Sequence, residues 1–291
     1  MEKIKFMADS PADIPDEDLI RYKIDMPKVP ITIDGEGCFE RESFTIQEFY
    51  EIIEKSNEIP ATSRVPTHDF LDCYRRAYDE GYNVIIAVTI NALGSGTNAS
   101  AHEAKRAFFE EIPGAQEKIK IHIVDSGTYS VGYGYPVIQA AKMAEDGKTS
   151  REILDYLEDW FAGVDIYLGC YTLKYAKRSG RITAAAAFVG DMLGLRPIIL
   201  MRDGTTKIAE RVRGDKQLAP GVYQHYLKTR VSRDAPVLVV HGVNKEPARE
   251  LRALIERETG RSVPMYAIGA SICINSGPEI VALICHSKKR R

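Results

Sequence analysis

The sequence predicts an α/β fold with two domains, and three observations support this prediction. In the first half, short apolar runs alternate with amphipathic stretches, which is typical of a parallel sheet covered by helices. After residue 163 the pattern changes to a series of strand-like runs, two of which are joined at hairpin distance by Asp203-Gly204. No low-complexity linker separates the halves. We therefore expect an N-terminal α/β domain over 1–163 and a C-terminal α/β domain, with an antiparallel or mixed sheet, over 164–291.

Strands and helices of the first half follow from periodicity and from helix-end signals. The expected strands are Ile4–Met7, Val29–Ile33, Val84–Ile90 and Ile119–Val124. The expected helices run from Thr45 to about Ser56, from about Thr67 to Glu80, and over Thr97–Phe109, Ser130–Asp146 and Ser150–Ala162. Thr45 and Glu48 form a capping box at the start of the first helix. Gly81 and Gly147 stand where a helix commonly ends in a left-handed residue.

The second half is richer in strands. The expected strands are Ile166–Tyr171, Pro197–Met201, Lys207–Val212, Val237–Val243, Met265–Ile268 and Ile280–Cys285. Because Asp203-Gly204 is a dipeptide that favours tight hairpin turns, it predicts antiparallel pairing of the strands on either side of it.

Composition excludes several classes of protein. The 39 basic and 41 acidic residues nearly cancel, so no overall charge indicates nucleic acid or an anionic membrane as a partner. Five widely spaced cysteines without Cys-x-x-Cys argue against a disulfide framework and a zinc cluster, and predict reduced thiols in a cytoplasmic protein. No signal-peptide core or membrane-spanning apolar run is visible, and we expect the basic tail 288–291 to be solvated.

One loop in the sequence is a candidate ligand site. The familiar zinc-protease, P-loop and nucleophile-elbow motifs are absent. The apolar strand Val84–Ile90, however, runs directly into the loop Asn91–Thr97 and then into a helix. Glycines in such a loop let the backbone approach a ligand, and the N–H groups of a helix N-terminus favour an anion. The alternative is an ordinary helix start with Thr97 as N-cap, and these residues alone leave both interpretations open.

Other polar groups could reach the same edge of the sheet. Pro60–Ser63 contributes the adjacent hydroxyls of Thr62 and Ser63, although adjacent hydroxyls often only cap helices. Asp9-Ser10 and Asp125-Ser126 each place an acid and a serine just after a short apolar strand. In open parallel sheets, ligands bind beyond the carboxyl ends of the strands, so these groups predict a shared site there.

A nicotinamide enzyme is the alternative of a different class. The stretch from Gly94 to Ala99 fits the dinucleotide fingerprint Gly-x-Gly-x-x-Ala, and Asp125 could receive a ribose hydroxyl. The fingerprint normally follows the first strand of a fold, however, and here it follows about the third. The sequence therefore disfavours this alternative.

A family resemblance rests on an ordered set of short motifs. They are Ala8–Pro15, Val29–Ile31, Thr62-Ser63, Ser95–Thr97, Val124–Ser126, Ser179–Ile182, Pro197-Ile198, Asp203-Gly204 and Val212-Arg213. In order and spacing they resemble proteins of the DegV family, over nearly the whole chain. The resemblance implies a three-layer α/β/α N-terminal domain and a protein that binds a long-chain fatty acid such as palmitate, without catalysis and without a cofactor.

The resemblance also implies roles for particular residues. Family members hold the fatty acid carboxylate with the Thr-Ser and Ser-Gly-Thr loops, which correspond to Thr62, Ser63, Ser95 and Thr97 here, with the loop beginning at Asn91. The acyl chain lies in a buried tunnel, for which Ala184–Leu195 and Ile280–Cys285 are candidate walls. Some members present the carboxylate to a separate fatty-acid kinase subunit, and in those an arginine corresponding to Arg213 and a histidine lie near the head group.

The sequence departs from the family pattern at that histidine. The family's His-x-Gly-Pro-Gly is replaced by Asn275–Glu279, so an asparagine stands at the histidine position and Glu279 at a glycine. Asparagine can donate a hydrogen bond to a carboxylate but cannot carry a proton near neutral pH. In the anion loop, Asn91 stands where the family often has serine and Gly94 where it often has leucine. Lipid binding stays the expectation, with Asn275 closing the site.

Overall fold

The computed structural model describes residues 2–186, 188, 194–229 and 235–287. The strands are β1 (Ile4–Ala8), β2 (Pro30–Ile33), β3 (Glu36–Phe39), β4 (Ala61–Thr62), β5 (Val84–Thr89), β6 (Lys120–Asp125), β7 (Val164–Cys170), β8 (Leu195–Arg202), β9 (Thr205–Arg213), β10 (Val237–His241), β11 (Met265–Ala267) and β12 (Ile280–His286). The helices are α1 (Asp16–Arg21), α2 (Ile46–Lys55), α3 (Thr67–Asp79), α4 (Thr97–Glu111), α5 (Val131–Glu145), α6 (Ser150–Gly163), α7 (Lys174–Ser179), α8 (Thr183–Ala186), α9 (Leu218–Lys228), α10 (Glu246–Thr259) and α11 (Ala270–Ser276).

A parallel sheet in the order β1-β5-β6 forms the centre of the N-terminal part. The central strand β5 pairs with β1 from Ile4↔Val84 onward and with β6 as far as Thr89↔Asp125. All six residues of β5 are buried, so both faces of this strand are covered. Helix α4 packs on β5 and β6, and α5 packs on β1 and β5. The predicted parallel sheet covered by helices is therefore confirmed.

The C-terminal part contains a six-stranded sheet in the order β11-β10-β12-β7-β8-β9. Only β10 and β11 run parallel, and the other neighbours are antiparallel, so the predicted mixed sheet is confirmed. Helices α9 and α10 cover it with buried leucine, isoleucine and valine side chains, among them Leu218, Val222, Leu251 and Ile255. A third sheet, in the order β3-β2-β4, has three short strands.

Local signals in the sequence determine several element boundaries. Thr45 caps α2 with the predicted capping box, in which its hydroxyl accepts the Glu48 N–H and the Glu48 carboxylate accepts the Thr45 N–H. At the hairpin, Asp203 and Gly204 both have positive φ, at 50° and 72°, as a tight turn between β8 and β9 requires. Gly81, with φ at 73°, follows α3 at the predicted position. The basic tail 288–291 and part of the stretch Ala184–Leu195 lie outside the described residues.

The chain divides into two compact units. The first unit comprises Met1–Thr32, Glu36–Ser43 and Thr62–Phe161, and the second comprises Ile33–Gly35, Phe44–Ala61 and Ala162–Arg291. The last division falls between Phe161 and Ala162, two residues before the expected boundary at 163/164. The segment Phe44–Ala61 belongs to the second unit, whereas the sequence predicts it in the first. Within the second unit, the Tyr50 hydroxyl donates to the carbonyl of Ile268 at 3.2 Å, which explains why this segment joins it.

No described helix combines the length and the apolar character that a bilayer-spanning segment needs. The described residues also contain no cluster of three or more His, Cys, Asp or Glu side chains that could hold a metal ion.

Candidate ligand-binding site

Two aspartates hold the loop that follows the central parallel strand. Asp9, just after β1, accepts the Ile90 N–H at 2.9 Å with its Oδ1 atom. Asp125, the last residue of β6, accepts the Ala92 N–H at 2.9 Å with its Oδ1 atom. The acids of the two outer strands therefore meet the loop from β5 at the carboxyl edge of the sheet, where the sequence predicted that they converge.

Asn91 builds the turn at the start of this loop. Its side chain is 1% exposed, and the Nδ2 atom donates to the Tyr129 hydroxyl at 2.7 Å. The Oδ1 atom accepts the Leu93 N–H at 3.2 Å, and the backbone carbonyl of Asn91 accepts the Gly94 N–H at 3.0 Å. Both ends of the Asn91 amide are thus engaged within the protein, so this residue shapes the loop. A direct ligand contact by Asn91 stays a prediction.

Ser95 and Thr97 form a hydroxyl pair at the start of α4. The Ser95 hydroxyl donates to Thr97 Oγ1 at 3.0 Å and accepts the Thr97 N–H at 3.2 Å. Thr97 is buried and is the first residue of α4, with Gly96 rather than Thr97 at the N-cap position. Within the described part of the chain, the N–H groups of Ser95 and Gly96 have no hydrogen-bond partner. Ser95 itself is half-buried, so its donors lie at the boundary between protein and an accessible space.

Arg64 and Val65, which follow Thr62-Ser63, contact the start of α4. The Val65 N–H donates to Thr97 Oγ1 at 3.2 Å, and a Cβ atom built on Gly96 would lie 3.0 Å from the Arg64 side chain. Thr62, the last residue of β4, is half-buried, and Ser63 is exposed. Neither hydroxyl has a hydrogen-bond partner among the described residues. The structure therefore joins the residues that directly follow Thr62-Ser63 to the start of α4.

Two other predicted site residues belong to the second unit. Arg213 ends β9, pairs with Leu195 across the sheet edge, and has an exposed side chain with no ion pair among the described residues. Asn275 lies in α11, half-buried, and its Nδ2 atom donates to the Ser271 carbonyl at 2.7 Å. Glu279 is not among the residues with positive φ, so the departure from glycine costs no backbone strain there. The positive φ of this turn is at Gly277.

A buried group of four polar side chains lies next to Ile90. Besides Asp9 and Ser10, which the sequence singled out, it contains Glu40 and Tyr133. Ser10 donates to Glu40 Oε2 at 2.6 Å, Tyr133 donates to Asp9 Oδ1 at 3.1 Å, and all four side chains are essentially inaccessible. The Oδ2 atom of Asp9 has no partner among the described residues. Removal from water, partly offset by hydrogen bonds from Ile90 and Tyr133, raises the pKa of the Asp9 carboxyl to about 7.

Sequence patterns missed some residues that contact the site. Tyr129 contacts the loop, and Glu40 contacts Ser10, only through the tertiary fold, and no local motif indicates their positions. Arg178 in α7 donates to the carbonyls of Ile59 and Pro60, the latter at 3.3 Å, shortly before Thr62. Arg178 directly precedes the motif Ser179–Ile182, in which the guanidinium of Arg181 donates to the Ser179 carbonyl at 2.7 Å.

The geometry does not favour the nicotinamide alternative. In a dinucleotide site, the space beside the glycines is open so that a pyrophosphate can approach the backbone. Here a Cβ atom on Gly94 would lie 2.7 Å from the Tyr129 hydroxyl, and one on Gly96 would lie 3.0 Å from Arg64. Side chains of the protein itself therefore lie close to both glycines on the side where a Cβ atom would stand.

The structure combines a unit built on a parallel sheet, with hydroxyl-bearing loops at the sheet edge, and a second unit built on a mixed six-stranded sheet. Comparison with known protein families shows which family has this combination. Residues 3–288 match the family model described as "Uncharacterised protein, DegV family", and the chain belongs to the DegV family. Similar proteins include a DegV domain-containing protein of Caldanaerobacter subterraneus, 27% identical over 292 residues, covering 99% of this chain and 100% of the relative. A Staphylococcus aureus relative is 30% identical over 281 residues, covering 96% of this chain and 93% of the relative.

Solved structures share the fold over the whole chain. One is described as a stearic acid-binding protein from Eubacterium ventriosum, with 25% identity, a TM-score of 0.87 and 99% of each chain covered. Another, from Thermotoga maritima, is described as revealing a fatty acid binding function, with 25% identity and a TM-score of 0.83. It covers 99% of this chain and 100% of its own.

Proposed function

We propose that this protein binds a long-chain fatty acid and holds its carboxylate with the hydroxyls of Thr62 and Ser95. The observation that carries the proposal is the hydrogen bond from the Val65 N–H to Thr97 Oγ1, which joins the segment after Thr62-Ser63 to the hydroxyl pair of Ser95 and Thr97. The Thr62 hydroxyl and the N–H groups of Ser95 and Gly96, which lack partners among the described residues, supply donors for an anionic head group. The likeness to fatty acid-binding proteins of Eubacterium ventriosum and Thermotoga maritima supports the same ligand class.

The energetics of such a ligand divide between its tail and its head group. Burying one methylene contributes about 0.8 kcal/mol, so a chain of about 15 methylenes supplies on the order of 12 kcal/mol before the loss of freedom on binding. A carboxylate buried without partners would cancel much of this gain. The hydroxyl loops therefore need only to replace the water that the carboxylate loses, and the tail provides most of the affinity.

A buried tunnel for the acyl chain is part of the proposal. Its candidate walls are Ala184–Leu195, which is only partly described, and Ile280–Cys285, a fully buried stretch of β12 between β10 and β7. Asn275 retains its Oδ1 atom and one N–H for a head group, because only one donor is used by the Ser271 carbonyl. We assign Arg213, with its exposed and unpaired guanidinium in the described structure, to the surroundings of the head group.

The ligand class is tested by extracting the purified protein with organic solvent and analysing the extract by mass spectrometry. We expect a straight-chain fatty acid, and uptake of added stearate in native mass spectra of the delipidated protein. Recovery of no acyl species, combined with no uptake of stearate, would contradict the proposal. A thermal shift with NAD(H) but none with stearate would favour the nicotinamide alternative instead.

A finer proposal is that the bound fatty acid is presented to a separate kinase subunit. Incubation of the stearate-loaded protein with a purified fatty-acid kinase subunit and ATP should then yield acyl phosphate, detected as the hydroxamate. None should form when any one of the three is omitted. Because Asn275 cannot hold a proton where relatives have histidine, Asn275→His is the variant to compare. Absence of product with both forms would reject kinase presentation while leaving lipid binding intact.

A further inference from the structure

The turn Asn91–Gly94 is held by its own hydrogen bonds and by the segment at the end of β6 and just after it. It is closed by the hydrogen bond from the Gly94 N–H to the Asn91 carbonyl, 3.0 Å long, and by that from the Leu93 N–H to Asn91 Oδ1. The tip has little packing of its own, since the Leu93 side chain is 76% exposed. Ser95 follows directly, so the position of its hydroxyl and N–H depends on whatever holds this turn.

Tyr129 contacts both ends of the turn with a single atom. Its hydroxyl oxygen accepts the Asn91 Nδ2 hydrogen at 2.7 Å. The same oxygen lies 2.7 Å from the position that a Cβ atom on Gly94 would occupy, closer than any ordinary van der Waals contact. The backbone carbonyl of Thr128 adds a third contact, since it accepts the Asn91 N–H at 3.1 Å. The missing side chain at residue 94 thus makes room for the tyrosine hydroxyl.

The backbone on both sides of Tyr129 is fixed. On one side, the Thr128 N–H donates to the Ser126 hydroxyl at 3.2 Å, and the Gly127 N–H donates to Asp125 at 3.0 Å. On the other side, Ser130 has a φ of 55°, a backbone conformation that residues with a side chain rarely adopt. A hydrogen bond from the Ser130 hydroxyl to Asp13 holds it there. The backbone that carries Tyr129 is therefore held on both sides.

From this geometry we infer that Tyr129 is a positioning residue for the head-group loop. It holds the turn Asn91–Gly94, and through it Ser95, in the arrangement that receives a carboxylate. The inference rests on the proposed fatty acid binding and assigns Tyr129 no contact with the ligand. Its distinctive consequence is that Gly94 and Tyr129 depend on each other, because one supplies the space that the other fills.

The variant Gly94→Ala tests the positioning role of Tyr129 separately from the stability of the fold. Gly94 has no positive φ, so alanine fits its backbone, and the colliding atom is the end of a side chain that can move away. We expect the alanine to displace the Tyr129 hydroxyl from Asn91 without unfolding the protein. In a Tyr129→Phe background the obstructing oxygen is gone, and the same alanine has room.

The test is a double-mutant cycle of Gly94→Ala and Tyr129→Phe, with the dissociation constants of stearate and octadecan-1-ol measured by calorimetry and Tm by thermal unfolding. We expect Gly94→Ala alone to weaken stearate binding about tenfold, and to have little further effect in the Tyr129→Phe background. Octadecan-1-ol, which lacks the carboxylate, should respond much less. Controls are Gly37→Ala, with no atom within 4 Å of the added Cβ, and Tyr78→Phe, whose hydroxyl has no partner among the described residues.

The outcomes distinguish this inference from the proposed function. If the wild-type protein binds no stearate, the proposed function fails and the role of Tyr129 fails with it. If the wild type binds stearate but the two substitutions act additively, or change stearate and octadecan-1-ol binding equally, the positioning role alone is overturned. Strong coupling confined to stearate, with unchanged Tm, supports it.

Discussion

Replacing Thr62 and Ser95 together with alanine should weaken stearate binding about a hundredfold or more. A hydrogen bond to a charged group contributes about 1.5–3 kcal/mol, and every 1.4 kcal/mol changes affinity about tenfold. Because both hydroxyls are half-buried at the proposed head-group position, water can replace them only in part. Calorimetry measures the dissociation constant of stearate. The dissociation constant of octadecan-1-ol, which lacks the carboxylate, is measured in the same way for comparison.

Ser95 also bonds to Thr97, so the fold of the double variant must be checked by circular dichroism and thermal unfolding. A matched control is Thr32→Ala with Ser262→Ala, which removes the same two hydroxyl types from exposed positions without partners in the described structure. Unchanged stearate affinity in a folded Thr62→Ala/Ser95→Ala protein would refute these residues as the head-group site. It would leave fatty acid binding elsewhere in the protein untouched.

Asp9→Asn should flatten the dependence of stability on pH. The pKa of the Asp9 carboxyl is about 7 in the folded protein, against an ordinary value of 3.8, mainly because burial disfavours its charge. Its proton is therefore held more tightly in the folded than in the unfolded state. The stabilisation is complete below the unfolded pKa and is lost as the pH rises through the folded pKa. Between about pH 5 and about pH 8, the loss amounts to about 2.5 kcal/mol.

Two neighbouring side chains shift the pKa of the Asp9 carboxyl in opposite directions. Glu40 raises the pKa of Asp9 by its charge, whereas the hydroxyl of Tyr133 lowers it by donating a hydrogen bond. Asparagine preserves the acceptor for the Ile90 N–H and replaces the unpartnered Oδ2 atom by an uncharged group.

Urea unfolding of the wild type and Asp9→Asn at both pH values measures the effect, with Asp146→Asn as an exposed control. Equal pH dependence in the wild type and Asp9→Asn would show that Asp9 is charged throughout this range.

Sequence patterns predicted those elements whose physical cause is local. The capping box of Thr45 and Glu48 and the Asp203-Gly204 turn were correct because side chain–backbone hydrogen bonds and positive φ values act within a few residues. The long helices α9 and α10 of the second half were not placed. Their positions depend on tertiary packing, since α9 packs on β7 and β12 and α10 packs on β10 and β12.

The residues of the candidate site could be predicted only where their sequence signal is local. Ser95 and Thr97 could be singled out because a buried strand followed by a glycine loop and a helix is a continuous signal. Thr62 carried only a weak signal, since β4 is two residues long and the residue that bonds to Thr97 is Val65, three positions later. Glu40 and Tyr129 carried none, because Glu40 reaches Ser10 and Tyr129 reaches Asn91 from a distant part of the chain.

The sequence by itself determined the alternation of strands and helices, the turn chemistry and the position of a polar loop after β5. These properties depend on residue spacing and on backbone preferences, which are local. Tertiary structure alone decided that Asp9 and Asp125 hold that loop, that Tyr129 fills the space over Gly94, and that Val65, three residues after Thr62, bonds to Thr97 at the start of α4. Such contacts join residues up to about 80 positions apart, and only the packing of the sheet and its helices brings them within hydrogen-bond distance.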